Sequence, residues 1–335
     1  MEGIRIHKRP RLKNSCLVVA WPGMGEVAFK SAIYLIESLK AEEFAEIEPA
    51  DFFYLTAGIV KDGILDLPKM PYGKFYYWKN PQTKSRAKNN QLGFPAMDLI
   101  IFLSTAQPDL VRAEEYCRRI LYVAKAFKVK LIVSMAAMPQ PIEHTQDPNV
   151  WFSATSKIIN DDLSKFGITP LLEGQISGMN GLFLGIAKRE GFPGFCLLGE
   201  IPLYTVQIEN PRASYAVLHA LSRVLNMQAD LNGLIEQAHT IEGEIDKLLD
   251  YLKIGSQSQP APIGEEEIEK IKKALSQLTK LPASVKDNIE KLFVKAKADI
   301  SRAAELKSEL DKWNVYKDYE DKFLDLFRKP KDKGN

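Results

Sequence analysis

The chain is 335 residues long with 45% hydrophobic and 26% charged residues, the proportions of an ordinary globular protein of about two domains, which sets aside disordered and fibrous classes. Lys plus Arg number 45 against 43 Asp plus Glu, a net charge of +2, so no large field exists to attract nucleic acid or an anionic membrane. The three cysteines, Cys16, Cys117 and Cys196, lie far apart in apolar surroundings, which fits reduced buried thiols rather than disulfides or a metal site.

The basic stretch from Arg5 to Lys13 precedes an apolar run, Cys16 to Trp21, that is too short for a signal segment. No stretch reaches the ~18 apolar residues of a membrane span, so the cytoplasm is the expected location. Cys16 to Trp21 reads as a first strand. The chain then turns at Pro22-Gly23-Met24-Gly25 into a helix from Glu26 to Lys40, where Val27, Ile33, Leu35, Ile36 and Leu39 recur at mostly helical spacing. Further strands are expected at Phe44 to Ile47, Phe75 to Trp78, Leu99 to Ser104, Lys130 to Met135, Val150 to Ala154, Leu171 to Ile176 and Phe195 to Leu198. Helices are expected at Leu110 to Phe127, Lys157 to Phe166, Gly181 to Arg189 and Arg212 to Leu225, the last capped by Asn210 before Pro211. Asn80 to Pro95, rich in Lys, Asn, Gln and Pro, reads as an exposed loop. Strands alternating with helices predict an α/β domain over residues 1–225, a central sheet flanked by helices.

From about Asn226 the pattern changes. Leu231, Leu234, Ala238, Ile241, Ile245, Leu248 and Leu252 recur in steps of three and four, the spacing of a coiled-coil seam. A linker is expected near residues 254–263, a second helix from Glu265 to about Lys280, and after Pro282 a third carrying Ile289, Leu292, Ala296, Ile300, Ala303, Leu306, Leu310 and Trp313. Residues 226–330 thus read as a three-helix, coiled-coil-like arm with interleaved charges on its solvated face. Its tail places Trp313, Tyr316, Tyr319, Phe323 and Phe327 among charges, a composition favoured at protein contacts and equally suited to a cap within the bundle.

Two glycine-rich turns are the candidate site. Gly23-Met24-Gly25-Glu26-Val27-Ala28 fits G-x-G-x-x-A between a strand and a helix, and Glu46, Glu48 and Asp51 stand where a dinucleotide fingerprint expects an acid. Against that reading, Pro22, Met24 and Glu26 occupy the phosphate approach, and a carboxylate there repels the anion that a helix N-terminus attracts. The second turn, Gly174 to Gly181 with Gly178 and Asn180 inside it, lacks the Gly-Lys-Ser/Thr of a phosphate-binding loop. Close backbone packing accounts for Pro22, Gly23, Gly25, Gly174, Gly178, Asn180 and Gly181 as turn residues; a weak ligand site is the alternative. His7, His144, His219 and His239 show no helical metal-ligand spacing, and no G-x-S-x-G elbow occurs. No catalytic residue, metal or cofactor is assigned.

The Trp21 to Gly25 turn, the Leu99 to Ser104 strand ending at Gln107-Pro108, the segment Gly174 to Leu184, and Cys196 to Gly199 before Asn210-Pro211 together resemble the proteasome assembly chaperone 2 family over roughly residues 10 to 225. The helical extension is similar to that of its bacterial members. The resemblance implies a nucleoside-phosphorylase- or hydrolase-like sheet sandwich, self-association into homo-oligomers, and chaperoning of a protein partner, which some members exercise on proteasome α-subunits. Those members dock by a C-terminal hydrophobic-Tyr-any tail, whereas this sequence ends Lys333-Gly334-Asn335. The competing reading is a nucleotide- or nucleoside-using enzyme on the same fold, which needs a base, a phosphate-binding cation and a nucleophile that these residues do not supply. A homo-oligomer built through the glycine-rich core, with arms free to embrace another protein, is therefore the expectation.

Overall fold

The computed structural model describes residues 3–55, 58–61, 63–84, 94–255, 283–312, 319 and 322–327. The chain forms two compact units, Met1–Ala238 and His239–Asn335. Strands of the first are β1 (Ile4–Ile6), β2 (Cys16–Ala20), β3 (Glu42–Ile47), β4 (Ile59–Lys61), β5 (Ile64–Asp66), β6 (Gly73–Trp78), β7 (Leu99–Ser104), β8 (Leu131–Gln140), β9 (Val150–Ala154), β10 (Thr169–Pro170) and β11 (Gly194–Pro202). Nine of them make one sheet in the order β1-β3-β6-β7-β2-β8-β11-β9-β10, while β4 and β5 pair with each other. The centre, β7-β2-β8-β11, is parallel; β1, β3 and β6 on one side and β9 on the other join it antiparallel.

Parallel central strands must be covered on both faces, and β2 shows how the sequence meets that need. Cys16, Val18 and Ala20 point into one core with α1 (Val27–Ser38), α3 (Lys157–Ser164) and α5 (Pro211–Val224). Leu17, Val19 and Trp21 point into a second core with α2 (Ala113–Ala126) and α4 (Gly178–Arg189). The α/β architecture expected from the alternation of elements is the one the chain adopts. Asn210 caps α5 as expected, its side chain accepting a hydrogen bond from Ala213 N. All three cysteines are buried and free. Burial pushes the Cys117 and Cys196 thiols up to about 12 and Cys16 higher still, so none is a thiolate near neutral pH.

Two expectations need correction. Leu171 to Ile176 is not a strand: after the two-residue β10, only Leu171 N continues the pairing, donating to Phe152 O at 2.7 Å, and the chain then leaves the sheet toward Gly174, whose φ is +150°. The long third helix of the arm is two helices, α7 (Ala283–Ala298) and α8 (Ala303–Lys312), separated by a short turn at Ile300–Arg302. Arg302 N donates to Asp299 O, and Asp favours such local turns over a helix interior. Ile300 is consequently half exposed and off the apolar seam, while Ile289, Leu292, Phe293, Ala296, Ala303, Leu306 and Leu310 form a core with Phe323.

The helix expected from Leu231 to Leu252 is α6 (Asn232–Gly255), so residues 254 and 255 of the expected linker are helical. The rest of that linker, the helix from Glu265 to Lys280, the loop residues 85–93, Trp313 and Tyr316 lie outside the described residues. Met227, Leu231 and Leu234 share the core of α1 and α5, and Gly233 packs against Tyr34. The 225/226 boundary therefore carries a test. A chain ending at Ala238 is expected to be more stable than one ending at Leu225, which gives up three buried side chains at ~1.5–3 kcal/mol each. Urea denaturation of the two truncations measures the difference, and equal midpoints would rule out that contribution to the core.

Candidate functional site

Both glycine-rich turns arrive at the C-terminal ends of the parallel strands, where open α/β sheets ordinarily hold their ligands. After β2, Trp21-Pro22-Gly23 enters a single 3-10 turn, Met24–Glu26, and then α1. The segment from Leu171 to Ser177 crosses the same end and enters α4. Asn180, only 6% exposed, ties the two together: Trp21 N donates to its Oδ1 at 3.1 Å, and its Nδ2 donates to Trp21 O at 3.2 Å. Gln107, beyond β7, donates from Nε2 to Pro22 O at 2.9 Å and lies against Gly178. A Cβ at Gly181 would stand 2.0 Å from Ile176 O, so α4 meets the incoming backbone at a distance that only glycine permits. Trp21 is flanked by the rings of Phe102 and Phe183 at 5.5 and 5.6 Å. All seven turn residues singled out in the sequence thus come to one end of the sheet.

Between them is a cavity of about 250 Å³ lined by Gly23, Met24, Gln107, Ala136 to Pro139, Leu171, Gly174 to Ser177, Asn180 and Leu198, among others. No charged side chain is among its lining residues. It offers amide groups and apolar walls, with neither a cation for a phosphate nor a base for proton transfer.

The start of α1 is equally unsuited to a pyrophosphate. Gly25 N donates to Val206 O at 2.8 Å and Glu26 N to Gly23 O at 3.0 Å, so the second glycine of the G-x-G turn and the residue after it already have their amides engaged. Gly25 has φ +60°, and its missing Cβ leaves room for the side chain of Ile201. Glu26 follows in the left-handed region at φ +51°. Desolvation holds its carboxyl above the usual carboxylate range, with Lys30 opposing the shift and Glu209 adding to it; Lys30 is paired to Glu209 at 2.8 Å.

A raised acid pKa means that ionising Glu26 destabilises the fold above that pKa, and the penalty vanishes below the unfolded value. Glu26→Gln is accordingly expected to raise the melting temperature near pH 7 and to leave it unchanged near pH 3. Paired melts across that range measure it; a variant less stable at pH 7 would show that the attraction of the nearby Lys30 charge outweighs desolvation.

Other expected residues fall elsewhere. His144 is buried, its backbone N donating to the Tyr204 hydroxyl at 3.0 Å and its Nδ1 2.8 Å from the same oxygen. His7, Glu43 and Glu46 bring ligand atoms within 4.8 Å of one another at the surface, a grouping invisible to helical spacing because it joins β3 to the residue that follows β1. Lys74 pairs with Glu43 at 2.9 Å and Arg5 with Glu46 at 3.6 Å, so cations already neutralise both carboxylates. In the second unit Phe323 is buried and Tyr319 stacks on Phe293 at 5.7 Å, while Phe327 is more than half exposed. Sequence reasoning missed Glu200, 5% exposed in the otherwise apolar β11. Its carboxylate accepts from Asn149 N and Nδ2, both at 2.9 Å, and from Trp151 Nε1 at 2.7 Å. A lone acid inside a nine-residue apolar strand was the available signal.

The fold and site define a three-layer α/β sandwich whose crevice at the strand ends is closed by backbone-bridging amides and has no charged lining. The chain belongs to the PAC2 family, whose model matches residues 17–249. It is 26% identical over 263 residues to an uncharacterized protein of Methanocaldococcus jannaschii, covering 78% of this chain and 93% of that one. Among solved structures it is similar to Pyrococcus furiosus PbaB, an archaeal proteasome activator, at 26% identity and a TM-score of 0.60 over 73% of this chain and 97% of that one. A Mycobacterium tuberculosis proteasome-assembly chaperone homologue shares the fold at 21% identity and a TM-score of 0.56, covering 70% of this chain and 94% of that one. No helix among the described residues is long and apolar enough to cross a membrane.

Proposed function

We propose that this protein is a non-enzymatic, chaperone-like factor that binds a proteasome-related protein partner. The observation that carries this reading is the likeness to PbaB over nearly the whole of that chain. The uncharged cavity and the engaged Gly25 amide support it, since a nucleotide- or nucleoside-using enzyme has no phosphate-binding cation or base there. On this reading the protein works in the cytoplasm as a homo-oligomer, the turn residues Pro22, Gly23, Gly25, Gly174, Gly178, Asn180 and Gly181 are structural, and the helical arm makes coiled-coil-like contacts. The arm's proposed partner contact comprises Trp313, Tyr316, Tyr319, Phe323 and Phe327, of which Phe327 is half exposed while Tyr319 and Phe323 pack within the second unit.

The test is reconstitution of the full chain with proteasome α-subunits of its own source, read by co-migration and by the rate of ring assembly. Binding or faster assembly is expected, together with no heat on titration with ATP, NAD or a nucleoside. Micromolar nucleotide binding without any interaction with the subunits would overturn the reading.

A further inference from the structure

The connection from β1 to β2 runs along the end of the sheet at which the parallel strands begin. Lys8 N donates to Phe44 O at 3.2 Å, and Lys13 is held at Asp98, its N donating to Oδ2 at 2.6 Å and its O accepting from Asp98 N at 3.2 Å. Between these anchors exposure alternates: Arg9, Arg11 and Lys13 are exposed, Pro10 and Leu12 half buried, the pattern of extended backbone with one side in water. A second alternation lies beside it. Past the end of α2, Lys128 and Lys130 are exposed on either side of the buried Val129. Lys130 N donates to Ser15 O at 2.8 Å and Ser15 Oγ to Phe127 O at 3.0 Å, so the two basic tracts share the edge where β2 and β8 begin.

These charges are not cancelled locally. Among the described residues, Arg9, Arg11, Lys13, Lys128 and Lys130 form no ion pair. The carboxylates along this edge are engaged: Glu42 by Lys8 and the Tyr77 hydroxyl, Glu190 by Lys125 at 3.4 Å, and the buried Asp98 by the amides of Lys13 and Asn80. Alternate side chains in extended backbone stand ~7 Å apart, inside the ~8 Å screening length at physiological salt. The cations of one tract therefore repel one another, and an anion laid along them relieves the repulsion. Lys128 adds a conformational cost. It is left-handed at φ +55°, just past the last turn of α2, where glycine is the residue that bears no strain. The negative end of the α2 dipole accounts for a cation there, but not for Arg9, Arg11 and Lys13, which belong to no helix.

We propose that this basic edge docks an extended acidic segment of the protein partner. The inference rests on the protein-binding function proposed above and supplies the partner's chemistry. Cations at every second position match carboxylates at every second position of a strand-like peptide, both repeating at ~7 Å. The net charge of the whole chain is only +2, so the edge suits a short acidic segment rather than the long-range attraction by which nucleic acid is gathered.

Fluorescence anisotropy of the full chain with a labelled peptide of alternating Glu and Ala tests it. Saturable binding that weakens with added salt is expected. Arg9→Glu with Arg11→Glu should weaken it by about tenfold or more, as two exposed attractions become repulsions, with an unchanged melting temperature. Lys69→Glu with Lys157→Glu makes the same change in net charge at exposed positions elsewhere and should leave the affinity unchanged. Lys128→Gly should weaken the peptide without lowering the melting temperature, because glycine accepts the left-handed backbone. No binding by the wild type, or equal losses in the two charge-matched pairs, overturns the basic edge. A DNA duplex that displaces the peptide and binds more tightly overturns the acidic-protein assignment. Proteasome α-subunits separate this inference from the reading it rests on. If they bind the wild type and the doubly substituted Arg9 and Arg11 variant alike, the edge is overturned and the chaperone-like function stands. If the peptide docks on the edge but no α-subunit binds, the edge stands and the proteasome-related partner falls.

Discussion

Gly181→Ala is expected to lower stability by about 3 kcal/mol or more, the upper end for overpacking, because the new Cβ would meet Ile176 O at 2.0 Å. The obstacle is backbone, so no side-chain rotation relieves it, and α4 must move away from the Leu171–Ser177 segment. That motion would also break the pair of hydrogen bonds between Asn180 and Trp21. The internal control lies one turn along the same helix. Nothing stands within 4 Å of a Cβ at Gly185, so Gly185→Ala is expected to stabilise by ~0.5–1 kcal/mol through helix propensity alone. Urea midpoints of the two variants should move in opposite directions. If Gly181→Ala also stabilised, the close approach of α4 to the segment would be refuted.

Glu200→Ala is expected to cost about 3–5 kcal/mol, since it leaves Asn149 N, Asn149 Nδ2 and Trp151 Nε1 without an acceptor in a buried site. Those donors hold the start of β9 against β11, and β9 in turn receives Leu171 N at Phe152 O. The acid thus steadies the wall of the cavity through one intervening strand. Glu200→Gln keeps one carbonyl acceptor but turns an amide donor toward another donor, so an intermediate loss is expected. Thermal unfolding with calorimetric enthalpies reads both variants; a loss below about 1 kcal/mol for Glu200→Ala would mean that water replaces the carboxylate at little cost.

The candidate site was partly legible in the sequence. Glycine, proline and asparagine advertise their backbone roles locally, which is why Gly25 and Gly181 could be marked before their partners were known. The partners themselves, Val206 for Gly25 N, Trp21 for Asn180 and Pro22 for Gln107, are far away in sequence and leave no periodic trace. The G-x-G-x-x-A match at Gly23 shows the consequence. Its spacing suits a dinucleotide, but whether the turn's amides are available is decided by the β11–α5 connection that packs on it.

By itself the sequence determined the elements that satisfy a local rule. Cys16 to Ala20 and Leu99 to Ser104 are continuous apolar runs because both faces of a central parallel strand are covered, and α2 and α5 show their periodicity because one face meets water. Tertiary structure decided the rest, where competing local preferences are close to balanced. Leu171 to Ile176 has strand composition but no neighbouring edge to pair with beyond Phe152, so it crosses the cavity mouth instead. Leu231 and Leu234 fit a coiled-coil seam, yet they fill the α/β core beside α5, because the burial available there outweighs the pattern they begin. β4 and β5 escaped notice for the converse reason. Three-residue strands on either side of Asp62-Gly63 carry too few residues for a period, and only their pairing, Val60 against Leu65, makes them a hairpin.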